Sequence, residues 1–203
     1  ICRGCGFLFQ SPRADPEKII EIYSSGFYRQ DREYDEAFFQ SRYDQPRMHV
    51  DWSAAFAPLE PGAKVLDIGA GHGGAVKAFA DMGYEASGIE IDPGLCAQAR
   101  DRYGVEMIQE DIMAVDIETE SLDMVYSAHV HEHFDDWRPY NERIHQWLKP
   151  GGHLLVVVPT YGLSGRNGQG FINVFHNSIF SRTSLYNTFV RSQLVPEKVI
   201  YAR

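Results

Sequence analysis

From about residue 64 the chain alternates short apolar runs with longer amphipathic stretches, the pattern of strand-helix units laid on a parallel sheet. KVLDI (64–68) predicts a first strand running into a glycine-rich turn. A helix follows from about Gly74 to Met82, where Val76, Phe79 and Ala80 fall at i, i+3 and i+4, and Gly83 ends it. EASGIEI (85–91) predicts a second strand, Pro93 to Tyr103 a second helix with proline suited to its first turn, and VEMIQ (105–109) a third strand. LDMVYSA (122–128) is mostly apolar, as expected of a strand covered on both faces. Trp137, Tyr140, Ile144, Trp147 and Leu148 recur at helical spacing until Pro150, Gly151 and Gly152 stop the helix. HLLVVVP (153–159) predicts a fifth strand and YGLSGRNGQG (161–170) a loop or lid. FSRTSLYNTFVRSQ (180–193) predicts a helix, and VPEKVIYAR (195–203) a last strand. Ahead of the sheet, residues 16–57, rich in Tyr, Phe and acidic side chains, predict two or three helices forming a cap. The fold class is therefore α/β, a doubly wound, mostly parallel sheet with an N-terminal helical cap.

Charge and composition narrow the partners. A formal net charge of -9, with no Lys/Arg cluster, disfavours nucleic acid and favours a small-molecule substrate. No apolar run approaches the roughly 20 residues of a membrane span, and no signal-like start is present, so a cytoplasmic setting without membrane association is expected. Cys2, Cys5 and Cys96 do not make a disulfide framework.

The loop LDIGAGHGG (66–74) fits two templates: Gly69, Gly71 and Gly74 make G-x-G-x-x-G, and Gly69, Gly71 and Gly73 make G-x-G-x-G. Either lets the backbone approach a ligand at a helix N-terminus. Asp67 discriminates between them: a carboxylate two residues before Gly69 repels a dinucleotide pyrophosphate but attracts a ligand carrying an ammonium group, as S-adenosylmethionine does. Glu90, 19 residues after Gly71, can accept both hydroxyls of a ribose in either case.

At these residues the chain resembles a known family. VLDIGAGHGG, GIEIDP, QEDI, SLDMVYSAHVHEHF and LKPGGHLLVVVP, over about residues 62–160, look like the ordered motifs of class I S-adenosylmethionine-dependent methyltransferases. The resemblance implies S-adenosylmethionine as cofactor, lying across the carboxyl ends of strands one, two and four. Asp67, Gly69, Gly71 and Gly73 would hold its methionine end and Glu90 its ribose; Asp111 would bond the adenine amino group, with Ile112 packed on the ring. CRGCGFLFQSPR resembles the tail of a zinc-ribbon segment that precedes the catalytic domain in a subset of the family. Two cysteines cannot complete a tetrahedral site. The expected organisation is thus a ribbon remnant over 1–15, the cap over 16–60 and the methyltransferase domain over 61–203, with part of the natural N-terminus absent before Ile1. The family closes its sheet with an antiparallel pair of strands, of which only one follows the last helix here.

His129, His131 and His133 alternate in SAHVHEHFDD and would point the same way in an extended chain. Similar H-V-L-E-H segments in the family hold no metal, so none is expected here, and Asp135 or Asp136 is expected to cap the next helix. His129 and, second, His133 are the catalytic candidates, either accepting a proton as the methyl group arrives or shaping the loop by hydrogen bonding. His176 follows as a further candidate, and Tyr23, Phe27, Tyr28 and Tyr34 are placed to close over the site or to pack within the cap. The expected function is methyl transfer to a small-molecule acceptor, a sugar or metabolite hydroxyl or amine. The rivals are a NAD(P)-dependent oxidoreductase and a non-catalytic cofactor-binding protein. The N/D-P-P-Y/F motif of many nucleic-acid amino-methylating enzymes is absent.

Overall fold

The computed structural model describes residues 2–27, 33–160 and 176–199. A two-residue strand β1 (Leu8–Phe9) precedes helices α1 (Pro16–Ser24) and α2 (Glu36–Ser53), which form the cap. The sheet region follows as β2 (Lys64–Ile68), α3 (Gly74–Asp81), β3 (Glu85–Glu90), α4 (Pro93–Tyr103), β4 (Glu106–Gln109), β5 (Leu122–Ala128), α5 (Trp137–Trp147) and β6 (Leu148–Val157). A second two-residue strand, β7 (Ser178–Ile179), and α6 (Arg182–Val190) complete the described chain.

The main sheet has the order β4-β3-β2-β5-β6, every pair parallel. The order reverses beside β2, so a crevice opens beyond the carboxyl ends of β2 and β5, where ligands bind in open sheets of this kind. Period two along each strand sends successive side chains to opposite layers. Leu66 and Val125 face Ile144 and Trp147 of α5, whereas Val65, Met124 and Tyr126 face Phe79 of α3 and Val50 of α2. Both faces are thus covered, which accounts for the apolar run in β5.

Local chemistry sets the element ends. The Asp92 side chain accepts from the amides of Gly94 and Leu95 to start α4, Pro93 takes its first turn, and Gly104 at φ +64° closes it. Asp136, one of the two acids expected to do so, caps α5 through the Arg138 amide.

Two expectations need correction. The fifth strand begins at Leu148, not at His153: the helix ends at Trp147, Leu148 is already extended (φ −70°, ψ 135°), and it pairs with Leu122 across an irregularity in the ladder. Pro150, Gly151 and Gly152 lie inside that irregular stretch of β6 and do not end the helix. The last strand also fails over its described part, since residues 195–199 carry no strand pairing; 200–203, like the loop 161–170, lie outside the described residues. An unexpected pairing joins the two ends of the chain: β1 runs antiparallel to β7, Leu8 opposite Ile179, and Phe7 packs on Phe180 with ring centroids 5.6 Å apart.

Candidate active site

β2 ends at Ile68 and its loop answers the glycine question conformationally. Gly69, Gly71 and Gly73 all have positive φ (+66°, +53° and +74°), whereas Gly74 is the first residue of α3. The G-x-G-x-G register is therefore the one that needs glycine for its backbone. At Gly69 space is short as well: a Cβ would lie 2.6 Å from Val130 Cγ2.

Under this loop lie two carboxylates. Glu90, at the end of β3, accepts from the Gly71 amide through one oxygen and from the Asp92 amide through the other, both at 2.9 Å. Each oxygen retains a further lone pair for a ligand hydroxyl. Asp67, on β2, is 4% exposed, and burial followed by the charge of Glu90 pushes its carboxyl well above the usual carboxylate range. Burial likewise raises Glu90, against the lowering effect of the amides it accepts from. A paired, buried carboxylate floor of this kind is poorly compensated until a cation arrives.

The crevice is a cavity of about 610 Å³, within the size of small-molecule sites at roughly 300–1,000 Å³. Asp67, Gly69, Gly71, Glu90, Asp111, Ile112, His129 and His133 all line it, and so does His176. Gly73 does not line it; a Cβ there would lie 2.7 Å from Ala99 Cβ, so its place is structural, between the loop and α4. Asp111 turns one oxygen back onto the Met113 amide at 2.6 Å, and Ile112 is packed into the core below.

The histidine turn is not extended. His129 takes a left-handed conformation (φ +59°) with its amide bonded to the Val157 carbonyl, and a 3-10 turn follows over His131–His133. His129 and His133 consequently face the cavity while His131 turns into the core, fully buried between Ser127 Oγ and Asn141 Oδ1, each 3.0 Å away. The premise that all three imidazoles share a direction fails. Burial lowers the His131 pKa to about 4, so a neutral ring joins Ser127 to Asn141, whose amide continues to Ser192 beside α6. Replacing His131 with Leu leaves Asn141 Oδ1 without its donor, and a loss of about 1–3 kcal/mol in unfolding free energy is expected. Urea denaturation of the two chains measures it.

Glu132, which the sequence reading passed over, is fully buried, and neither carboxylate oxygen has a hydrogen-bond partner among the described residues. His129 Nδ1 lies 3.4 Å from its Oε1. Burial alone would raise its pKa; His129 and the charge of His133 outweigh that and hold it below the ordinary value. His133 Nδ1 lies 3.0 Å from Tyr23 Oη, and its ring stands edge-on to His176 with centroids 4.8 Å apart.

The cap covers the crevice from the other side. Tyr23 and Tyr34 line the cavity as expected; Phe27 is exposed and does not, and Tyr28 lies outside the described residues. His72, inside the glycine loop, sits among Tyr34, Phe38 and Phe39 at centroid distances of 4.5, 5.3 and 5.5 Å. This aromatic cluster, also unforeseen, joins α2 to the loop. Arg13, from the N-terminal segment, clamps the opposite rim through the Asp135 carbonyl and carboxylate at 2.6 and 3.0 Å. Cys2 and Cys5 carry free thiols.

Residues 66–156 match the family model described as a methyltransferase domain. The fold around that segment is the Rossmann-like fold of the solved methyltransferases it resembles. The chain is 31% identical over 125 residues to 2-methyl-6-phytyl-1,4-hydroquinone methyltransferase from Synechocystis, covering 59% of this chain and 39% of that one. It is 32% identical over 110 residues to phosphoethanolamine N-methyltransferase 2 from Caenorhabditis elegans, covering 51% and 25% respectively. The chain thus spans well under half the length of these two relatives. Among solved structures, phosphoethanolamine N-methyltransferase 2 from Haemonchus contortus, in complex with S-adenosyl-L-methionine, superposes with a TM-score of 0.63 at 19% identity, over 82% of this chain and 43% of that one. The cyclase SpnF shares the fold with a TM-score of 0.58 at 21% identity, over 72% of this chain and 57% of that one. Among the described residues no helix is long and apolar enough to cross a membrane.

Proposed function

We propose that this chain transfers the methyl group of S-adenosylmethionine to a hydroxyl or amine of a small-molecule acceptor. The observation that carries the reading is the buried carboxylate pair under the left-handed glycine loop. Asp67 receives the ammonium of the methionine end, while Gly69 and Gly71 let the backbone close on it and Glu90 accepts the ribose hydroxyls. Asp111 and Ile112 take the adenine, and Gly73 holds the loop against α4. The Asp67 carboxylate would repel a dinucleotide pyrophosphate, which disfavours the oxidoreductase reading.

The sulfonium makes the methyl carbon electrophilic, so the protein supplies alignment, exclusion of water and a proton acceptor. With the cofactor bound, the cavity would align the acceptor's nucleophile with the methyl group, and an imidazole of this chain would take the proton the acceptor loses. His129, on the cavity wall with Glu132 behind it, is the first candidate for that imidazole, and His133 the second. Tyr23 and Tyr34 shape the acceptor end of the pocket. The relatives differ in acceptor, a hydroquinone in one name and phosphoethanolamine in another, so the acceptor here is assigned only as a small molecule, and the 1–15, 16–60 and 61–203 division as ribbon remnant, cap and catalytic domain belongs to the same proposal.

Calorimetric titration with S-adenosylmethionine and, separately, NADH tests the reading. Saturable binding of the former alone is expected, weakened about tenfold or more in Glu90→Ala through loss of charge-assisted hydrogen bonds. Saturable binding of NADH instead would sink it, and binding without turnover across an acceptor screen would favour the non-catalytic alternative.

A further inference from the structure

Glu132, His133 and His176 bring one ligand atom each to within 4.8 Å of one another at the cavity wall. They come together by tertiary structure: the antiparallel β1·β7 pair and the Asn177 side chain, which donates to the His133 carbonyl at 2.8 Å, hold His176 against the 3-10 turn. This set is not the alternating trio of the sequence, from which His131 has been withdrawn into the core. The absence of metal expected from that trio therefore does not bear on it.

The carboxylate points to a ligand. A buried polar group kept for structure is hydrogen-bonded, as His131 is one residue away. Glu132 is as deeply buried and has no donor on either oxygen among the described residues. A carboxylate so placed is costly unless a cation compensates it. His129 approaches Oε1, which leaves Oε2 to turn toward the two imidazoles. Tyr23 at His133 Nδ1 fixes that ring in the manner of the outer partners of metal-bound histidine.

We propose that Glu132, His133 and His176 form a divalent-cation site at the acceptor end of the cavity. Two imidazoles and a carboxylate suit zinc, iron(II), cobalt or manganese rather than calcium or magnesium. Donors on an ion with bonds of about 2.1 Å lie roughly 3.4 Å apart at tetrahedral angles, so side-chain rotations closing the 4.8 Å set by up to about 1.4 Å complete it. Three protein ligands leave at least one coordination position open to the cavity. Resting on the methyl-transfer reading, the site selects acceptors that present an oxygen to the metal, and the proton acceptor is then His129, since His133 is engaged as a ligand.

Cobalt(II) titration, followed by its visible ligand-field bands, tests the site without requiring activity. The full chain with Cys2→Ser and Cys5→Ser is used, because the free thiols would otherwise contribute their own cobalt spectrum. One equivalent is expected to bind, with affinity lowered at least about tenfold to a hundredfold by His176→Ala or Glu132→Gln, no less than the loss of an outer-shell partner costs. His145→Ala, which removes an exposed imidazole from α5, is expected to leave it unchanged. Absence of saturable cobalt binding in the doubly substituted chain overturns the proposal, as does binding that His176→Ala leaves intact in a chain whose thermal unfolding stays cooperative. S-adenosylmethionine titration of the same samples separates the two readings: cobalt binding without cofactor binding would leave the metal site standing and remove the methyl-transfer role assigned to it.

Discussion

Asp67→Asn is expected to make the ligand-free protein more stable and to deprive it of its cofactor. The carboxyl is buried beside Glu90 and its pKa is raised, burial being the larger cause. The folded protein therefore holds a proton there at pH values where the unfolded chain, near pKa 3.9, has released it. Fewer protons on the unfolded state mean that stability falls as pH rises from the unfolded value through the folded one. The neutral isostere removes that fall. Above the raised pKa the substituted chain is expected to gain about 1–2 kcal/mol, or roughly 2–8 °C in unfolding midpoint. Affinity moves the other way. Losing the charge opposite an ammonium costs about 2–4 kcal/mol, roughly 30- to 900-fold in Kd. For the wild type the same linkage predicts that affinity rises with pH through the raised pKa, with up to one proton released per cofactor bound below it. Differential scanning calorimetry and titration in two buffers of different ionisation enthalpy measure both. A substituted chain that is less stable and binds equally well would show that Asp67 is a structural acid.

The frame of this site is legible in the sequence because it is built from local rules. The apolar runs of β2 to β5 and the amphipathic helices between them specify a parallel sheet covered on both faces. Asp67, Gly69, Gly71, Glu90, Asp111 and Ile112 each lie at the carboxyl end of a predicted strand, where the crevice must be. The ambiguous glycines became distinguishable only with φ values in hand, since sequence spacing does not say whether Gly73 or Gly74 begins the helix. The common direction expected of the three histidines fails for a similar reason. One residue with positive φ at His129, followed by a 3-10 turn, converts alternation into opposition, and no side-chain pattern announces it. His176 reaches His133 through pairing between residues 8–9 and 178–179, too short to register as strands and too distant in sequence to be inferred. Glu132 was overlooked because an acid in a polar turn reads as solvated; its burial follows from that same long-range closure. The sequence signal for His72 is an aromatic side chain in a glycine loop downstream of the aromatic-rich cap.

The left-handed backbone at His129 also decides how that residue has to be tested. Alanine is the poorer probe, since asparagine, like histidine, is enriched at positive φ and alanine is not, so part of any loss of turnover in His129→Ala would be strain. Asparagine tolerates this conformation and keeps a polar side chain without a titrating group. His129→Asn is therefore expected to fold as the parent does and to bind S-adenosylmethionine with unchanged Kd, because the assigned cofactor contacts lie on Asp67, Glu90 and Asp111. Its kcat is expected to fall by about 10²- to 10⁴-fold, the range of a lost general base. The effect should be largest with a hydroxyl acceptor, whose proton must leave as the O–CH3 bond forms, and smaller with an amine, whose lone pair can attack before its proton is lost. Glu132 stands on the Nδ1 side of the same imidazole, which leaves Nε2 for the acceptor's proton. Turnover by His129→Asn within a few-fold of the parent on a hydroxyl acceptor would move the proton acceptor to His133 and remove that residue from the proposed metal site, since one imidazole nitrogen cannot both ligate an ion and take the proton.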